Sequence, residues 1–490
     1  MKKYIQSMMA FAAIVSFASC SSEDNNTTIE NESAVKVMTF TATQEGDEQS
    51  TRAAISSTES KVINWEEGDQ ISIFDGTNNN RFTLTDGVES TSGKFSGEAG
   101  QSTSYTAVYP YQSNASLSGD GVTNVTLPAT QTATDNSFDK NAALMMAKSD
   151  NTTLTFKNAV GYVKVTPKFA CSKIVLQAAN TTEYLAGKCT LLYDTNSNIP
   201  SITFTSEQST SITLSGNITA NTAYYIAVPA VTLSAGWSIS FTDNTGYVYT
   251  RTGSNSITFK RNTIINLGEF SRTDNNLKLT LTQNGNVSAD KQVDMGVFNI
   301  GGTNYRLIFT KSNLTTTGLA ASESAYGDYF AWGATEPWYT SYTGTTFNGW
   351  KDGHSSGYAS GTAPAFSPEY TSEKDFEMSD DPARKILGGD WQIPTKAIWE
   401  ALMNNSSSKG WDSGYKFTNN SQTLFLPAAG YVIAKRFSEY GSGARYWSGT
   451  AYSSSYAYRL SFSNSKLNVA NDLGRRYGCS VRPVRLVAVD

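Results

Sequence analysis

The chain has 490 residues, more than a single hydrophobic core serves well, so two or three domains are expected. Apolar residues make up 39% and charged residues 17%, and the balance leans to Ser, Thr, Asn, Gly and Tyr. That mixture suits β-sheets with polar outer faces rather than helical bundles, and a net charge of −5 without a basic run excludes a nucleic-acid partner.

Lys2 and Lys3 open a targeting segment whose apolar part, Met8 to Phe17, is too short to span a bilayer. The stretch Phe17-Ala18-Ser19-Cys20 resembles a bacterial lipoprotein signal. That resemblance implies removal of residues 1–19, lipidation of Cys20 (a palmitate among its acyl chains) and anchoring of the mature chain to the outer membrane. An ordinary secretory signal with a chance Cys is the alternative, and the small residues before Cys20 favour lipidation. Ser22-Glu23-Asp24 resembles the export tag of Bacteroidota surface lipoproteins. Residues 20–34 are polar and read as a tether.

Residues 35–150 read as a β domain. Val35 to Ala42 alternates as a strand should, and Gln44 to Ser50 forms an acidic, polar segment before Thr51-Arg52-Ala53. Val62 to Gly76 is read as two short strands about a Glu-Gly-Asp turn, followed by strands at Tyr105 to Tyr111 and Val122 to Leu127. Residues 151–270 read as a second β domain. It begins at Leu154-Thr155-Phe156-Lys157-Asn158 and contains a hairpin from Trp237 to Arg251 that turns at Asp243-Asn244-Thr245-Gly246.

The order of a first strand, Thr-Arg-Ala, Trp65-Glu66-Glu67-Gly68-Asp69-Gln70-Ile71-Ser72-Ile73-Phe74 and Tyr109-Pro110-Tyr111 resembles the fimbrillin proteins, subunits of the type V pili of Bacteroidales. The resemblance covers about residues 35–270 and implies two β-sandwich domains. It also implies proteolytic processing between Arg52 and Ala53, after which the first strand leaves and another pilus subunit donates a strand in its place. The polar loop before Arg52 suits a protease, whereas a plain surface arginine in a strand–strand link is the bland alternative.

Residues 271–289 read as a linker with one possible strand, Leu277 to Leu281. Beyond it Trp becomes frequent and helices enter. Asp381 is placed to cap a helix starting at Pro382 and stopped by Gly388, and Thr395 to cap Lys396 to Asn404, where Ile398, Trp399 and Leu402 share a face. Tyr329-Phe330-Ala331-Trp332-Gly333, Gly389-Asp390-Trp391-Gln392-Ile393-Pro394, Phe425-Leu426-Pro427-Ala428-Ala429-Gly430, Tyr446-Trp447-Ser448 and Ser480-Val481-Arg482-Pro483-Val484 follow one another in an order that resembles the C-type-lectin-like domains ending many Bacteroidales surface proteins. Some relatives of that shape are the ligand-binding targets of diversity-generating retroelements. The resemblance covers residues 290–490 and implies an α+β ligand-binding domain, which makes the whole chain mainly β with an α+β end.

Trp332, Trp391 and Trp447 are read as core residues. The sole histidine, His354, leaves no usual zinc site and no Ser–His or Cys–His pair, and no cofactor or metal is expected. Cys171 and Cys189 form either a disulfide or, with Cys479, three buried thiols. Asp380-Asp381 invites a Ca²⁺ reading, but helix capping explains Asp381 more simply, and Ser448-Gly449 replaces the Asn-Asp of sugar-binding lectins. The segment from Ala451 to Tyr477 is the candidate binding surface: Tyr452, Tyr456, Tyr458, Asn464, Asn468, Asn471, Arg475 and Tyr477 stand among serines, the composition of adaptable interfaces. A solvated, Tyr-rich β-edge is the alternative. The expected function is adhesion at the cell surface, with the last domain binding a host or bacterial glycan or protein, possession of a folded end favouring a pilus tip. A surface lipoprotein that binds or hydrolyses glycans outside a pilus is the competing reading, and the lack of a recognisable carboxylate cassette argues against the hydrolase.

Overall fold

The computed structural model describes residues 35–45, 64–76, 78–336, 370–433 and 436–489, with the backbone of 342–343 and 346–347. Cys20, Arg52, Ala53 and the tether lie outside the described residues. The fold is mainly β, with two short α-helices among the described residues.

The first ten strands are β1 (Lys36–Gln44), β2 (Gln70–Phe74), β3 (Asn79–Asp86), β4 (Ser92–Ala99), β5 (Tyr105–Tyr109), β6 (Ser116–Ser118), β7 (Gly121–Leu127), β8 (Thr130–Thr132), β9 (Met145–Ser149) and β10 (Thr153–Asn158). Seven of them close a barrel in the order β1-β10-β9-β5-β2-β3-β4. The alternation of β1 places Phe40 and Ala42 inside, where Phe40 meets Phe82 and Tyr105 edge-on at 5.2 and 4.9 Å. Closure leaves no strand edge open, and this is where the first unit departs from the expected sandwich. Of the two short strands read about the Glu-Gly-Asp turn, the one after it is β2, and the one before it falls partly on residues 62–63, which lie outside the described residues. Trp65, just before that turn, belongs to no strand: its indole is buried at the centre of the barrel and donates to the Ala42 carbonyl at 3.1 Å.

The units interleave more than a boundary at residue 150 allows. β10 lies beside β1 as its parallel partner and completes the barrel, so the second unit does not start at Leu154. Conversely β7 pairs with Ala186–Asp194 and β8 with Ser211–Ile218, so a piece of the first stretch belongs to the sheets of the second. The predicted hairpin is present, with Trp237–Asp243 paired to Val248–Gly253 and the Asp243 carboxylate accepting the backbone N–H groups of Thr245 and Tyr247, both at 2.9 Å. Cys171, Cys189 and Cys479 are buried free thiols, so the disulfide alternative fails. Burial pushes the first two up to about 12.

In the C-terminal unit the strands Gln292–Ile300 and Thr303–Thr310 form a hairpin whose second strand pairs with Val484–Ala488, so the beginning and end of the unit lie side by side. Helix α1 (Pro382–Leu387) is capped by the Asp381 carboxylate, which accepts from the Ala383 and Arg384 N–H groups, and ends at Gly388 with φ 69°. Helix α2 (Lys396–Asn405) is capped by Thr395 and buries Ile398, Trp399 and Leu402. The four large indoles are buried and satisfied: Trp332 donates to Ser448, Trp391 to Asn284, Trp399 to Trp447 and Trp447 to Phe330, all to carbonyls at 2.7–3.2 Å. These bonds give the tryptophan motifs of the sequence their physical content: each ring fills core volume while its N–H ties down a backbone carbonyl distant in sequence.

The segment read as a linker is a fixed strap. Lys278–Leu279 adds to the hairpin sheet of the second unit, and Leu277, Leu279 and Val287 are buried in one continuous core shared by the second and third units. Arg272 pairs with Asp243 at 3.3 Å. Fully buried Arg306 pairs with Asp294 at 2.7 Å and also donates to the Arg272 and Leu277 carbonyls at 3.2 and 3.0 Å. Asn284 accepts from the Asp390 N–H at 2.8 Å. Arg306→Ala leaves the Asp294 carboxylate buried without its cation and is expected to lower stability by about 3–5 kcal/mol in urea unfolding followed by tryptophan fluorescence; a loss below about 1 kcal/mol would show that the strap does not depend on this pair.

Candidate functional site

Residues 451–477 form strands as well as connections. Gly443–Ala451, Tyr456–Ser463 and Leu467–Gly474 run antiparallel as a meander, with Lys374–Asp375 on the outer side of the first. The middle strand is interior to the sheet and buries Ala457, Leu460 and Phe462. The eight candidates therefore do not converge. Asn464 lies in the exposed turn at one end, and Tyr456 begins the strand at the other, roughly 23 Å away at the rise of a β-strand. Asn468 is exposed and Asn471 half-buried on the strand Leu467–Gly474, while half-buried Tyr477 packs on the core with the Arg476 guanidinium over its ring at 5.5 Å.

At the Tyr456 end a coherent surface forms. Tyr452 and Tyr456 are 45% and 46% exposed, among the few large apolar side chains so open to solvent. The turn between them is tight, because the Tyr452 and Ser453 N–H groups both donate to the Tyr456 carbonyl, at 3.0 and 3.1 Å. Tyr452 meets Tyr458 edge-on at 5.7 Å.

Tyr458 is a buried supporting residue, contrary to its reading as a surface anchor. Its hydroxyl donates to Glu373 at 2.6 Å, and its ring lies under the Lys396 ammonium at 4.5 Å. Glu373 also pairs with Lys396 at 3.0 Å, and the Tyr458 and Lys396 contacts hold its carboxyl below the usual range. Next to them the Thr450 hydroxyl donates to Asp375 at 2.5 Å. Sequence reasoning missed Glu373 and Asp375, and it read Lys396 as the start of a helix with no part in a site. Their signal was the short charged run Glu373-Lys374-Asp375, which strand pairing alone brings beside the tyrosines.

Arg475 corrects the sequence reading most sharply. With 1% exposure it offers no charge to a ligand. Its guanidinium stacks on the Trp332 indole at 4.3 Å and donates to the carbonyls of Tyr370 and Ser453, with a longer bond to Tyr456 at 3.4 Å. Its backbone N–H donates to the Ser455 carbonyl at 3.0 Å. A planar cation with five donors is the side chain suited to holding several carbonyls at once, and two of these carbonyls, those of Ser453 and Tyr456, belong to the tyrosine turn. Arg475 thus fixes from behind what Tyr452 and Tyr456 present in front.

The Asp380-Asp381 pair is accounted for by the fold. Asp380 accepts the Tyr370 hydroxyl at 2.8 Å. Asp381 accepts three backbone N–H groups, and burial pushes its carboxyl up to about 7 against their pull.

No protein-family model matches the chain, and no curated protein matches it. Similar solved structures include a candidate cell adhesion protein from Bacteroides uniformis, at TM-score 0.30 and 17% identity over 44% of this chain and 91% of that one. A fimbrial protein from Bacteroides ovatus is similar at TM-score 0.21 and 11% identity, over 86% of this chain and 95% of its own. The tip fimbrial protein Mfa3 from Porphyromonas gingivalis, truncated at its C-terminus, is similar at TM-score 0.21 and 10% identity, over 48% of this chain and 94% of its own. At TM-scores of this size the similarities establish neither a shared fold nor a shared function.

Arg475→Ala strands the carbonyls of Tyr370 and Ser453 away from water and is expected to cost the C-terminal unit about 3 kcal/mol in urea unfolding. Arg475→Lys should recover only part of that loss, since one ammonium cannot replace the planar fork. A variant as stable as the parent chain would mean that the guanidinium holds nothing.

Proposed function

We propose that this chain is a cell-surface adhesion protein, held to the outer membrane through Cys20, whose C-terminal unit binds a glycan or protein ligand at the Tyr452–Tyr456 turn. The observation that carries this reading is the pairing of two open tyrosine rings with a turn that Arg475 holds rigid. Such rings supply contact area with few torsions left to freeze on binding, and Glu373 and Lys396 stand beside them to orient a polar ligand. The motif order of residues 290–490 and the side-by-side termini of that unit support a lectin-like domain in this role.

Binding rather than glycan hydrolysis is the proposed activity. A hydrolase needs a raised carboxyl that reaches solvent opposite a second carboxylate. Among the described residues the carboxyl that burial raises, Asp381, is sealed at a helix cap, and the Tyr458 and Lys396 contacts lower Glu373 rather than raise it.

We further infer that the protein is a pilus tip subunit. β1 is joined to the rest of the barrel through the segment that contains Arg52, and both of its neighbours, β4 and β10, come later in the chain. Cutting after Arg52 would make β1 a separate strand in a slot that another subunit's strand can then take. The Gln44 amide, buried without a hydrogen-bond partner among the described residues, is one weak point of the resident strand.

Two experiments bear on these readings. On a glycan and protein array, Tyr452→Ala and Tyr456→Ala should each weaken binding by about 1–2 kcal/mol while leaving the melting temperature within scatter; unchanged binding would place the site elsewhere. In limited proteolysis of the folded chain, trypsin should cut after Arg52 and the Arg52→Gln variant should resist. Survival of that bond while others are cut would leave a surface lipoprotein outside any pilus.

A further inference from the structure

We propose that the barrel slot filled by β1 selects its occupant by charge as well as by apolar alternation: the strand lying there has to bring a carboxylate at the position of Glu45. For occupants other than β1 this rests on the strand-exchange reading above.

Glu45 follows the last residue of β1 and closes the slot. Its backbone N–H donates to the Phe156 carbonyl at 2.8 Å. Only 4% of its side chain is exposed, and its Oε1 accepts both the Asn158 N–H at 2.7 Å and Arg261 Nη1 at 2.6 Å, with Lys157 Nζ at 3.8 Å from Oε2. Arg261 precedes the strand Ile264–Phe270 of the second unit, and it also donates to the Asn158 carbonyl at 3.3 Å. The carboxylate therefore ties the occupant of the barrel to the next unit along the chain.

An occupant without this carboxylate would leave the largely buried Arg261 guanidinium with only the Asn158 carbonyl to bond and the Asn158 N–H without its acceptor, and stranding one partner of such a pair is costly. Apolar alternation is common to many strands and says little about which one belongs. It also tolerates a two-residue slip, which keeps the same face inward. A single acid at the strand's end removes both ambiguities. It fixes the register of Met38, Phe40 and Ala42 against β4, pairing Phe40 with Phe95, and it rejects strands with an amide or a cation there. The partner this slot fits is thus an extended segment of another chain with an aromatic residue, a small residue two positions on, and Asp or Glu three positions after that.

The test uses the full-length protein nicked by trypsin, with the protease then removed. Two fluorescent peptides compete for the slot: residues 36–45, and the same peptide with Glu45→Gln. The acidic peptide is expected to be held about 10-fold more tightly or better. In the Arg261→Gln protein that advantage should fall below about 3-fold, and in the Arg261→Glu protein a Glu45→Lys peptide should be preferred. The first comparison leaves the protein unchanged, so a folding defect in either variant does not blunt it. Equal retention of both peptides by the parent protein would overturn the charge requirement while leaving strand exchange intact. Retention of neither would overturn strand exchange itself, and this inference with it.

Discussion

Buried arginine holds this molecule together. Arg306, Arg475, Arg482 and Arg485 are all fully buried, which is costly for a cation unless its donors are used. Most of them are used, on carbonyls and side-chain oxygens, although Arg306 Nε and Arg482 Nη2 find no hydrogen-bond partner among the described residues. Arg482 donates to Asn313 at 2.9 Å and to the Phe425 carbonyl at 2.8 Å, and burial pulls its guanidinium down to about 10. Arg485 bonds Gln292, which itself donates to the carbonyls of Thr282, Val287 and Ser288. A chain with few helices and long connections buries many carbonyls outside ladders, and each needs a donor. The guanidinium supplies up to five in one plane.

The same device joins the units. A polar strap between two domains would ordinarily leave them free to move. Here Arg272 and Arg306 fasten the strap from both sides, and its leucines enter a core common to the second and third units. β7 and β8 cross from the first stretch into the sheets of the second, and Glu45 reaches from the barrel to Arg261. With such continuity a force applied across the units passes through packed side chains and paired strands rather than through a loose hinge.

Around Tyr452–Tyr456, division of labour within one short turn is the main structural lesson. Tyr452 and Tyr456 face solvent, while Tyr458 in the adjoining strand and Arg475, brought beside the turn by the next strand, face inward. The outward pair packs against little and its replacement costs little stability. The inward pair determines where the outward pair points.

The sequence by itself determined the class and most of the local structure. Period-two alternation marked β1, the Asp-Asn-Thr-Gly turn marked the hairpin of Trp237–Asp243 and Val248–Gly253, and Asp381, Pro382, Gly388 and Thr395 marked both helices to within a residue, because capping and turn chemistry are decided by neighbours in the chain. The indoles were legible as core, since so much apolar area has nowhere else to go. Tertiary structure alone decided the rest. Whether a strand closes a barrel or lies in a sandwich depends on partners more than a hundred residues away, as β1 and β10 show. Which tyrosines face out was set by pairing register in the meander and could not be read from a composition that is Tyr- and Ser-rich on both faces. Arg475 resembled a surface residue for the same reason: nothing local distinguishes an arginine that meets solvent from one whose carbonyls and indole arrive from Tyr370, Ser453 and Trp332.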